Sequence, residues 1–129
     1  MQRKTSDLPS PKNIEFDAGA EKLVYFKLIL ERLGVKKKYI GYYCLLESLD
    51  VIINGKTQVR NFQQEVYPYV SAKMKVSQWT IERNIRNLID KSWSYSMMER
   101  LGVYYPEGKK PACRQFIFLV KRYIEKSLA

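Results

Sequence analysis

The stretch "VSAKMKVSQWTIERNI", residues 70–85, decides the fold. Val70, the small Ser71 and Met74 close one helical pattern, Lys75-Val76-Ser77 form a turn, and Ile81 and Ile85 open a second pattern. This is the spacing of a helix-turn-helix. The apolar and small residues let the two helices approach, Val76 is expected to tuck into the angle between them, and Ser77 is expected to cap the second helix. Thr80 cannot complete a capping box, so the cap rests on the Ser77 hydroxyl. The turn position that usually holds a glycine at positive φ is Lys75, at a cost of about 1–2 kcal/mol.

The second helix runs on as "SQWTIERNIRNLIDKSW", Ser77 to Trp93. Ile81, Ile85, Leu88 and Ser92 fall on one face at the spacing of a helix packed on a core. The opposite face carries Trp79, Arg83, Arg86, Asn87 and Asp90. In a helix-turn-helix that outer face enters the major groove, where side chains must reach base edges and phosphates. Arginine suits guanine because its fork matches O6 and N7, asparagine suits adenine, and a glutamate accepts from cytosine N4. Trp79, Thr80, Glu82, Arg83, Arg86 and Asn87 are therefore the candidate base contacts. Each good bidentate pair would contribute about 1–3 kcal/mol of discrimination. The bland alternative is a solvated charged face on a helical hairpin.

Outward from this pair, the chain reads as all-α, a compact bundle of five to six helices. "EKLVYFKLILERLGV" sets Leu23, Phe26, Leu30 and Leu33 on one stripe and stops at Gly34. "KKKYIGYYCLLESLDVIING" sets Ile40, Tyr43, Leu46 (with Cys44) and Leu49 or Ile53 on one side and stops at Asn54-Gly55. Phe62, Val66, Val70 and Met74 recur at a spacing of four; Pro68 within them places a helix start near Tyr67 or a kink there. Leu101–Pro111 reads as a loop, and a last helix carries Phe116, Leu119, Val120 and Tyr123 or Ile124. Met97-Met98 reads as core filler at a helix end. Residues 1–17 read as a flexible arm or linker, and residues 18–129 as the folded domain.

The net charge is +10, and because residues 1–17 cancel among themselves, the excess lies on the folded part. A basic folded domain favours a polyanionic partner. Lys37 and Lys38, Lys75 and Ser77 at the turn, and Lys109 and Lys110 in the loop are the candidate phosphate contacts. Lys36 to Lys38 with Tyr39, Tyr42 and Tyr43 also fit a stacking platform for single-stranded nucleic acid, though Tyr43 is expected in the core. Histidine is absent, and Cys44 and Cys113 have no ligand spacing, so no general base, metal cluster or cofactor site can be assembled and an enzyme is not expected. Both cysteines read as reduced. The longest apolar run, Phe116 to Val120, is far short of a membrane span, and the N-terminus lacks a secretory signal, so a cytoplasmic protein is expected.

At "LGVKKKYIGYYCLLESL" (33–49) and "VYPYVSAKMKVSQWTIERNIRNLIDKSW" (66–93) the chain resembles the DNA-binding effector domain of the master sporulation response regulator of endospore-forming bacteria. The shared features are Leu33-Gly34-Val35, Ile40-Gly41-Tyr42, Tyr67-Pro68, Ile81-Glu82-Arg83, Ile85-Arg86 and Trp93, and the likeness runs from about Glu21 to Lys126. The resemblance implies a transcription factor that binds short double-stranded DNA boxes through residues 78–93, often as a tandem homodimer, and touches RNA polymerase. It matches Glu82, Arg83 and Arg86 to recognition positions. Trp79, Thr80 and Asn87 stand where that family has a serine, an arginine and a histidine, so a different operator is expected. The family's receiver domain has no room in 129 residues, so the chain is expected to be either an excised domain or a stand-alone relative, and the usual phosphorylation control is not expected on it. A different class of function, a protein-interaction module derived from such a domain that binds another regulator or RNA polymerase, is the rival reading, supported by those three replacements.

Overall fold

The computed structural model describes residues 19–55 and 62–128. The arm over 1–17, the domain start at residue 18 and the Phe62 side chain lie outside the described residues. Six α-helices follow one another: α1 (Gly19–Leu33), α2 (Ile40–Asn54), α3 (Tyr67–Met74), α4 (Gln78–Ser92), α5 (Tyr95–Leu101) and α6 (Cys113–Leu128). There is no strand among the described residues. One π-helical turn, Phe62–Val66, precedes α3, and the α-helix proper begins at Tyr67, which leaves Pro68 in its first turn, where proline is tolerated. No described helix is long and apolar enough to cross a membrane.

The core gathers one stripe from each long helix. Phe26, Ile29, Leu30 and Leu33 of α1 meet Leu45, Leu49 and Ile52 of α2, Ile81, Ile85 and Leu88 of α4, and Phe116, Ile117, Val120 and Ile124 of α6, all buried. Tyr123 packs half-buried at its edge, whereas Leu119, expected in the core, is half-buried outside the cluster. Gly34 ends α1 at φ +90, a conformation glycine adopts without a Cβ penalty. Val35 N–H and Gly34 N–H then close the helix end on the carbonyls of Leu30 and Glu31, each at 3.0 Å.

The register of α2 departs from the sequence expectation. Tyr42 is buried, whereas Tyr43 is 49% and Ile40 62% exposed. The cause is Gly41, on which α2 and α4 pack so closely that the backbone carbonyl oxygen of Asn84 lies 2.1 Å from where a Cβ would stand. The glycine, carrying no side chain, defines the buried face and rotates Ile40 and Tyr43 off it. The cluster of α2 also includes Cys44.

A second departure is α5, a short helix where the sequence shows no apolar stripe. Ser94 caps it by accepting from Met97 N–H at 3.1 Å, and it plugs the base of the bundle with Met97, fully buried; Met98 is half-buried. Trp93, at the C-terminal end of α4, packs edge-on against Tyr105 and Phe116, with ring centroids 5.5 and 6.2 Å away. This pins the 102–112 loop to the core.

Candidate nucleic-acid interface

The joint between α3 and α4 is a helix-turn-helix built from local chemistry. Lys75 closes α3 in the left-handed region at φ 59 and ψ 42. Its N–H and that of Val76 both reach the Ser71 carbonyl, the latter at 3.2 Å. Ser71 contributes more than small size, because its hydroxyl also donates to the Val76 carbonyl across the turn. Val76 does not tuck into the angle: it is 36% exposed, the turn being held by these hydrogen bonds instead. Ser77 caps α4 by accepting from Thr80 N–H at 3.0 Å, and the two hydroxyls lie 2.8 Å apart. Thr80 is half-buried, so its hydroxyl serves the cap first.

Lys73, in the last turn of α3, ties the motif to α2 by an ion pair with Glu47 at 2.9 Å. The hydrogen bond to Glu47 holds its ammonium above the usual lysine value.

The outer face of α4 projects from the body. Trp79 is 65% exposed, and Arg83, Arg86, Asn87 and Asp90 are all exposed. Two i, i+4 pairs organise it. The Arg83 guanidinium lies over the Trp79 ring, 4.7 Å from its centroid. Arg86 reaches the half-buried Glu82 at 3.5 Å, the long end of an ion-pair contact. Ser92, the odd polar residue on the buried face, has a clear role: its hydroxyl accepts from Lys36 N–H at 3.0 Å. That bond fixes the exposed turn Lys36 to Lys38 beside the C-terminal end of α4, with Lys38 Nζ 5.3 Å from the Tyr39 ring.

The two flanks of α4 are thereby assigned. Along the Asn84 side runs α2, preceded by its basic turn. Along the Glu82 side runs the start of α6, where the Cys113 thiol contacts the Glu82 carbonyl at 3.5 Å. Residues 82 and 84 point to opposite sides of a helix, so the arginine-bearing face stands between two basic walls. Lys109 and Lys110 supply the second wall. Lys110, however, is engaged with Asp90 at 3.2 Å; both partners are largely exposed, so the pair is weak and open to exchange.

Arg114 is a member of this wall that sequence reasoning missed. It is exposed one residue beyond Cys113, and its charge, like that of Arg86, is felt at the Tyr67 phenol. A lone arginine on an amphipathic helix carries no local signal; only the packing of α6 against α4 places it here. Burial pushes the Tyr67 hydroxyl and the Cys113 thiol up from their usual values. These groups beneath the face stay neutral and add no negative charge to it.

The structure thus brings Trp79, Thr80, Glu82, Arg83, Arg86 and Asn87 onto one surface, with Ser77 and Lys75, both exposed, at its leading end. Lys37 and Lys38 stand on one flank and Lys109 and Lys110 on the other. Tyr39, Tyr42 and Tyr43 do not form a stacking platform, since Tyr42 is buried and Tyr43 meets it edge-on at 5.2 Å.

The chain matches a known family model. The description is the C-terminal domain of the sporulation initiation factor Spo0A, and the match spans residues 26–124, reaching from within α1 to within α6. This is a DNA-binding regulatory family, not an enzyme family. A basic helical domain, a helix-turn-helix with an arginine-bearing outer face and this match over most of the chain agree: the protein belongs to the Spo0A C-terminal family of DNA-binding effector domains in sporulation transcription.

Proposed function

We propose that the protein is a sequence-specific regulator of transcription that reads double-stranded DNA in the major groove with α4. The observation that carries this is the outer face of α4: two exposed arginines, each with a partner one turn earlier, between two basic flanks. A helix lying in a major groove has a phosphate backbone on each side, and lysines in both walls match that arrangement. Arg83, nearest the middle of the outer face, reads guanine. Asn87 pairs with adenine, and Glu82 accepts from cytosine N4 where the base sequence draws Arg86 off it. Lys37, Lys38, Lys75, Ser77, Lys109, Lys110 and Arg114 hold the phosphates and set the register. RNA polymerase and a second copy on a tandem site are the further partners of this reading, and it places the protein in the cytoplasm with the nucleoid.

Selection from a random duplex library tests it, with the Arg83→Ala/Arg86→Ala double variant as control. Enrichment of a motif that the variant loses supports the reading; no enrichment, or enrichment the variant keeps, rejects it. The second reading, a protein-interaction module, is favoured by the exposure of Trp79. Salt separates the two. Log affinity for DNA should fall against log salt by roughly 0.9 per phosphate neutralised, whereas a protein interface centred on an indole should respond weakly.

A further inference from the structure

The Trp79–Arg83 stack is not required by a plain arginine–guanine contact. An unstacked arginine on this face would still reach O6 and N7. What the stack adds follows from the shape of a guanidinium. It is planar, it carries its donors in the plane, and its two faces are weakly hydrated. With the guanidinium carbon over the indole, 4.7 Å from the ring centroid, a parallel stack leaves the fork for a guanine edge and the other face for an apolar surface.

In the major groove the apolar surface beside a guanine edge is the C5 position of a pyrimidine on its 5′ side. Thymine carries a methyl group there and unmodified cytosine does not. The indole of Trp79, 65% exposed one turn nearer the leading end of α4, is the surface against which the guanidinium could lie flat and turn its plane to that methyl.

From this geometry we infer that Trp79 and Arg83 form one reading unit for a 5-methylpyrimidine–guanine step, that is, TpG or 5-methyl-CpG, with the guanidinium sandwiched between indole and methyl. Trp79 is thus a specificity-determining residue that acts through Arg83, not a base reader by itself. The inference rests on the major-groove reading proposed above and names the step that reading would prefer.

The test uses the duplex recovered by selection and alters only the pyrimidine 5′ to the guanine whose preference Arg83→Ala abolishes. Affinities are measured with thymine, uracil, cytosine and 5-methylcytosine at that position. Replacing thymine by uracil should weaken binding about fourfold, as expected for one methyl group losing its contact, and methylating cytosine should recover a similar factor. Trp79→Ser should abolish both methyl effects and keep the guanine preference; Trp79→Phe should keep part of the methyl effect. The exposed position makes misfolding a small risk, and far-UV circular dichroism checks it. Equal affinities for thymine and uracil with the guanine preference intact would overturn the sandwich while leaving groove reading in place. Absence of any guanine preference that depends on Arg83 would instead sink the underlying reading.

Discussion

Gly41→Ala is the sharpest single perturbation of the fold. A Cβ at Gly41 would lie 2.1 Å from the Asn84 carbonyl oxygen, 2.8 Å from its carbon and 2.9 Å from Leu88 Cβ. The first two obstacles are backbone, so no rotamer change relieves them, and α2 must back away from α4 by roughly 1 Å in an interior with little free volume. Over-packing of this kind costs about 3 kcal/mol, the upper part of the usual range. Alanine returns up to about 1 kcal/mol of helix propensity. The net expectation is a loss of about 2 kcal/mol, or a Tm lower by about 10 °C in a domain this small. Urea unfolding followed by circular dichroism and by tryptophan fluorescence gives the value. A Gly41→Ala variant as stable as the parent would mean that α2 and α4 do not meet here, and the placement of the basic turn beside α4 would fall with it.

Three further outcomes follow from particular residues. Lys75→Gly should stabilise the domain by about 0.5–1 kcal/mol in urea melts, since the left-handed turn is costly for lysine and the side chain is exposed; a loss of stability would show that Lys75 makes a contact the turn needs. Burial pushes the Cys44 thiol up to about 11 in the folded state. A group raised by folding gives its full stability below its unfolded pKa, near 8.5, and loses it as pH climbs through the folded value. Urea midpoints should therefore fall from about pH 8.5 to pH 11, in the same direction as the raised Cys113 and Tyr67 groups, and Cys44→Ala should flatten the slope; a flat profile in the parent would refute the assignment. Arg114→Ala should weaken DNA binding similarly across sequences and reduce the salt slope by about 0.9. A change in the selected motif would instead make Arg114 a base reader.

How much was legible in the sequence depends on whether the information was local. The cap at Ser77, the start of α3 at Tyr67 beside Pro68 and the outer face of α4 are each set within one or two helical turns, and the residues there announce them; the left-handed Lys75 was legible only from the spacing of the motif, against the residue itself. The face of α2 was misread because its contact with α4 runs through Gly41, and apolar periodicity cannot register a residue whose function is to have no side chain. α5 escaped because seven residues with one buried methionine make no periodic signal. Val76 was expected inside on the strength of its chemistry, yet hydrogen bonds from Ser71 and the Lys75 and Val76 amides close the turn without it. Arg114 belongs to the candidate site only through the packing of α6 on α4, a contact between residues 31 apart in the chain and invisible to any short window.

The hydrogen bond from Lys36 N–H to Ser92 Oγ has a consequence for recognition at positions no side chain touches. It locks the lysine turn to the far end of α4, as the Cys113 contact locks the opposite wall to Glu82. A protein held this way is a caliper of fixed jaw. If α4 reads the groove as proposed, the duplex does the bending, and sequences that widen or narrow cheaply are preferred over equally well-matched stiff ones.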